Sequence, residues 1–162
     1  MSFMSTVETS RYREGIRLLA QGEVLIAQLY NLYSELFPET WKIWAQFAEE
    51  ERQHARIFRQ IVPLIEDGLV APGRSNFHAA NVRSTIDFVQ SLVFDMAMTE
   101  ITVLHALEMA ISIENTLTEQ FSSEILTAAS VEAQRLIKNI NQDEWRHRQQ
   151  LQDMLRQEER KL

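Results

Sequence analysis

Apolar side chains recur along this chain in alternating steps of three and four, the spacing that lines up one face of an α-helix. The first series, Ile16, Leu19, Ile26, Tyr30, Tyr33 and Phe37, predicts a helix from about residue 10, with Ser10 as N-cap, to residue 36 before Pro38. Trp44, Phe47, Phe58, Ile61 and Ile65 predict a second over 39–67, kinked at Pro63 and ended by Asp67-Gly68. Val103, Leu107, Ala110, Leu117 and Phe121 mark a third long helix over 100–122, and Ile137, Ile140, Leu151 and Met154 a fourth over 129–159. Between them, LVAPGRSNFHAANVRS (69–84) holds a Pro-Gly pair and small polar residues and reads as a connection. Ser84 with Asp87 would then cap a short extra helix over 85–97. Alternating β-type patterning is sparse. The expected fold is all-α: one domain over 1–162, an up-down four-helix bundle of two helical hairpins joined by a long crossover.

Each long stripe is broken near its middle by groups that do not belong in a dry core. Glu23 stands in the first, Glu51 and His54 in the second, Glu114 in the third, and Glu144 and His147 in the fourth. The interruptions are in register. Glu114 follows Glu23 by 91 residues, and Glu144 and His147 follow Glu51 and His54 by 93 each. Tyr30 and Phe121 stand seven residues after Glu23 and Glu114, so the two hairpins are diluted copies of one design.

At a separation of three on a helix, a Glu and a His project to one side, so bundling brings six ligand-type groups to one level. Four ionised carboxylates cannot share an apolar interior unaided, because desolvation and mutual repulsion each disfavour the charge. Two divalent cations neutralise four carboxylates. Carboxylate oxygen with one imidazole per metal suits iron or manganese and accepts zinc. One Glu from each of two helices and Glu-x-x-His from each of the others is the ligand set of dinuclear carboxylate bundles.

Composition narrows the remaining classes. The chain has no Cys, which excludes disulfides, iron–sulfur clusters and thiolate metal sites. A net charge of −7 argues against nucleic acid as a partner. With no long apolar run and no basic flank or apolar core near the N-terminus, neither a membrane span nor a secretory signal is expected, and the expected location is cytoplasmic.

The segments LLAQGEVLIAQLY, FAEEERQHARIF, ALEMAISIENTLTEQF and INQDEWRHRQQL resemble the rubrerythrin/ferritin-like di-iron superfamily, over most of residues 10–158. The resemblance implies Glu23 and Glu114 as terminal ligands, Glu51 and Glu144 as bridges between two metal ions, and His54 and His147 as ligands to one metal each. It further implies iron that reacts with dioxygen or hydrogen peroxide in ferroxidase- or peroxidase-like chemistry. Manganese, catalase-like activity and non-catalytic iron binding or storage are alternatives. A homodimer or larger assembly is implied as well. This chain departs from rubrerythrins proper in two respects. It has no Cys-rich electron-delivery centre, so a separate electron-donor protein is expected, and Leu117 stands where they carry an additional Glu.

Other residues are weighed singly. Asp143 and Glu50 each precede a ligand-type Glu and could accept the second imidazole N–H; the alternative is a solvated helix charge. Tyr30, two turns beyond Glu23, could donate to a ligand carboxylate, although a core tyrosine is the default. His78 and His105 read as surface or boundary residues, Trp44 as packing, and RQEERKL as a solvated helix end.

Overall fold

The computed structural model describes residues 6–72, 79–96, 98–120, 126–128 and 130–161. Five helices carry nearly all of them: α1 (Thr6–Leu36), α2 (Trp41–Glu66), α3 (Ala79–Met96), α4 (Val103–Gln120) and α5 (Val131–Glu159). Consecutive long helices pair as hairpins, α1 on α2 and α4 on α5, and α3 lies against α1 and α4. This is the expected all-α, ferritin-like bundle.

The helix ends are set by local chemistry. Behind α2, Gly68 takes a positive φ of 69°, Leu69 N–H donates to Leu64 O at 2.8 Å, and Gly68 N–H donates to Ile65 O at 3.2 Å. That pair of bonds is the left-handed glycine stop. Ser130 caps α5, accepting from Ala133 N–H at 3.2 Å, and Thr102 caps α4 by accepting from His105 N–H at 3.2 Å. Pro63 sits inside α2 without ending it.

Two short strands were not expected. β1 (Val70–Pro72) and β2 (Leu126–Ala128) form an antiparallel ribbon with Val70 opposite Ala128. Three residues are too few for alternation to register in a sequence. The ribbon places the end of α2 beside the start of α5, and therefore beside the end of α4. Because α2 and α4 finish at the same end, the chain must climb the full bundle between them, and α3 carries it. At 18 residues α3 spans about 27 Å. It is as long as α4, not the short element over 85–97 read from the sequence. Ser84 does not cap it; its hydroxyl donates to Ala80 O at 3.1 Å in mid-helix. The predicted start of α1 is also displaced, since the helix runs through Ser10 from Thr6. His78 and the side chains of Leu117 and Phe121 lie outside the described residues.

The core divides into two clusters. One gathers Ile16, Leu19, Phe58, Ile61, Val70, Val82, Ile137 and Ile140 at the ribbon end. The other gathers Ile26, Leu29, Tyr30, Tyr33, Trp44, Phe47, Leu107, Ile113 and Leu151 at the far end. Trp44 touches the Tyr30 and Tyr33 rings at centroid distances of 5.5 and 5.0 Å. Between the clusters lies the polar layer that breaks the four stripes. Phe58 is fully buried one turn from that layer. Phe58→Ala is expected to cost about 3–5 kcal/mol, read as a lower urea midpoint with unchanged helical circular dichroism at zero denaturant.

Candidate metal centre

All six stripe-breaking residues are buried: Glu23, Glu51, Glu114 and Glu144 are at most 2% exposed, and His54 and His147 are at 0%. Each comes from the middle of its helix, so four separate elements deliver the cluster to one level. Two trios form, Glu23 with Glu51 and His54, and Glu51 with Glu114 and His147, each with ligand atoms within 4.8 Å of one another. Glu51 belongs to both. Glu144 is in neither trio but faces the same space, where the charges of Glu114, Glu51 and both histidines act on it.

The histidines point inward with Nδ1 and outward with Nε2. His54 Nδ1 lies 2.9 Å from Glu51 Oε2, while its Nε2 meets Asp143 Oδ2 at 3.3 Å. His147 Nε2 meets Glu50 Oε2 at 2.6 Å. The outward partners are exchanged between hairpins, α2 histidine to α5 carboxylate and α5 histidine to α2 carboxylate. Arg146 ties them together, 3.0 Å from Glu50 and 2.8 Å from Asp143. Both carboxylates were candidates from sequence. Arg146 was missed; its i,i+3 spacing from Asp143 was the available signal. The Tyr30 hydroxyl donates to Glu114 Oε1 at 2.7 Å, and the Phe47 ring lies tilted against His147 at a centroid distance of 4.4 Å.

Without metal, this layer balances its charge with protons. Burial, then the Glu51 charge, pushes Glu23 well above the usual carboxylate range. Burial and the neighbouring Glu114 raise Glu144 to about 8. Burial opposes protonation of the histidines, but the surrounding carboxylates outweigh it, raising His54 well above its ordinary value and His147 to about 12. Burial would likewise raise Glu51, yet His54 and His147 outweigh it and hold Glu51 low. Asp143, through its bond to His54, and Glu50, where the His147 bond overcomes partial burial, are also lowered.

Protonation does not satisfy every atom. Glu23 Oε2, Glu51 Oε1, both Glu144 oxygens and His147 Nδ1 are buried with no hydrogen-bond partner. His147 Nδ1 lies 2.9 Å from Glu51 Oε1, close enough for an ion pair but without hydrogen-bond alignment. Such orphaned groups in a core are costly, and these five are all metal-ligand atoms at one level. The donor set fits divalent cations.

The rubrerythrin family model matches residues 20–155. The chain belongs to the rubrerythrin family. Compared with curated proteins and with solved structures, it matches none. As in the ferritin-like di-iron carboxylate superfamily to which rubrerythrins belong, its buried glutamates and histidines form groups able to hold metal. Among the described residues no helix is long and apolar enough to cross a membrane.

The raised groups bind more protons folded than unfolded, so they make stability fall as pH rises between their unfolded and folded values. For Glu144 that window runs from 4.5 to about 8, and for His147 it begins at 6.5. The lowered Glu51, Glu50 and Asp143 act in acid: their stabilisation is lost as pH falls through their folded values. The chelator-treated rubrerythrin-family chain is therefore expected to be most stable in mild acid, with urea midpoints declining from about pH 5 to 8. A steady rise over that range would show that Glu23 and Glu144 are ionised in the metal-free fold.

Proposed function

We propose that this chain is a di-iron carboxylate protein that reacts with dioxygen or hydrogen peroxide, with ferroxidase- or peroxidase-like chemistry. The observation that carries the reading is the set of five orphaned ligand-type atoms from α1, α2 and α5 in one buried layer, which Glu114 of α4 completes. Iron bound there supplies one-electron steps to an oxidant.

The chain's own residues would divide the work. Glu51, common to both trios, would serve both metal positions, and Glu144, facing the same space, would be the second carboxylate shared between them. Glu23 with His54, and Glu114 with His147, would hold one position each. Asp143 and Glu50 accept from the histidines' outer nitrogens, which turns Nδ1 inward and makes the imidazoles better donors. Tyr30 fixes Glu114 by donating to it, and burial, then the Glu114 charge, pushes the Tyr30 phenol well up, so it remains a donor. Glu144, with neither oxygen hydrogen-bonded, is the carboxylate least restrained and the one able to swing aside for an oxidant. The Tyr30, Phe47 and Trp44 rings keep the far side of the layer dry.

Because the chain has no Cys, a second reading also has an observation behind it: iron as cargo, where Fe(II) itself supplies the electrons and no resident relay is needed. Metal analysis of protein loaded anaerobically with Fe(II) is expected to give about two ions per chain, lost in Glu51→Ala and in His147→Ala. No retained metal in the wild type would sink the proposal. Stopped-flow oxidation separates the two readings: catalytic turnover with added peroxide and reductant supports an enzyme, while a single fast oxidation of bound Fe(II) supports iron handling. Asp143→Ala is expected to weaken metal affinity by about 10–100-fold while the apo-protein remains helical; unchanged affinity would reduce Asp143 to a surface charge.

A further inference from the structure

The outer face of the α1–α2 hairpin carries a feature that the metal centre does not use. A groove of about 270 Å³ runs between the helices, turned away from the six ligand-type residues. Its floor is made of Ala27 and Ala55, both buried, and their small side chains are what leave room for it. Arg52, Arg56 and Arg59 line one wall, at the i, i+4, i+7 spacing that stacks them along one face of α2. Gln28 and Asn31 of α1 line the other.

The charge here runs against the rest of the chain, whose net charge is −7. Glu49 is the carboxylate shared by Arg52, at 2.9 Å, and Arg56, at 3.3 Å. Arg59 has no ion-pair partner among the described residues. Three guanidiniums against one carboxylate leave an excess of cation. The existing pairs are half-exposed, and ion pairs of that kind are weak enough to give way to a better anion.

We propose that this groove binds a phosphate group, free or as the monoester of a small molecule. A guanidinium presents five N–H donors in a fixed fork, and three of them offer more than the two oxygens of one carboxylate can accept. A phosphate monoester has three terminal oxygens, free phosphate four, and either carries close to two negative charges, which matches donors arriving from three successive turns of a helix. The carboxamides of Gln28 and Asn31 both donate and accept, and suit the hydroxyls of an attached organic part. The cavity volume lies just under the usual range for small-molecule pockets, which restricts the attached part to a few carbons. The inference does not depend on metal, since it involves none of the six buried ligand-type side chains.

The test is titration calorimetry on the full chain, metal-free in chelator and at low ionic strength, with inorganic phosphate and glycerol 3-phosphate as separate probes. Saturable one-site binding is expected, absent with sodium chloride at matched ionic strength and accompanied by a rise in melting temperature. The Arg56→Gln/Arg59→Gln variant is expected to bind at least about tenfold more weakly, while Arg83→Gln, on α3, binds as the wild type. Tighter binding of the ester identifies an organic phosphate as the ligand; equal binding identifies free phosphate. A response no greater than that to chloride, or unchanged affinity in the double variant, overturns the proposal. So does a wild-type chain that ignores both probes and forms a dimer that the double variant breaks, since the groove then serves a second copy.

Discussion

Charge neutrality in one dry layer is the constraint on which this molecule turns. Four glutamates and two histidines are buried between two apolar clusters, and each ionised carboxylate placed there must be matched by a cation. In the metal-free chain, protons do the matching: His54 and His147 are held cationic, and Glu23 and Glu144 are pushed toward the neutral acid. A layer of leucine and alanine would pack the same space with no desolvation cost, so stability alone gives no reason for the polar one. The rubrerythrin-family match and the orphaned ligand-type atoms are compatible with a different reason, metal ions whose charge protons imperfectly replace.

Holding such a layer together requires more than packing within each hairpin. The two hairpins are cross-braced by polar contacts that would be lost if either moved: His54 to Asp143, His147 to Glu50, Tyr30 to Glu114, with Arg146 spanning both outer carboxylates. Three of these residues sit next to ligand-type glutamates or donate to one, so the bracing and the ligand geometry are the same set of bonds. At the ribbon end, β1 and β2 pin the exit of α2 to the entry of α5. This fixes the axial register that keeps Glu51 level with Glu144.

Most of this was legible because a helical stripe shows a polar intruder plainly. Glu23, Glu51, His54, Glu114, Glu144 and His147 each stand within a three-and-four series that is otherwise apolar, and all six are buried. What was not legible depended on contacts between distant segments. Val70–Pro72 reads as connection until Leu126–Ala128 lies beside it. Ser84 carries the signature of a cap, but Val82, Thr85 and Val89 are buried and extend the apolar face past it, so packing overrode the local preference. Arg146 is an ordinary helix arginine until the other hairpin brings Glu50 to it.

The pseudo-twofold relation between the hairpins fails at one informative place. Glu114 receives the Tyr30 hydroxyl, and in the sequence the residue seven beyond Glu114, as Tyr30 is beyond Glu23, is Phe121. Glu23 Oε2, by contrast, is among the orphaned oxygens. A carboxylate oxygen that accepts a hydrogen bond is fixed in orientation; one that accepts none is freer. The His147 side of the layer is also the aromatic side, with Phe47 against the imidazole and Trp44 behind it. The two sides of the layer match in composition and differ in restraint and in aromatic cover. A symmetric layer would present its two sides alike; this one does not, because the single Tyr30 hydroxyl serves the Glu114 side.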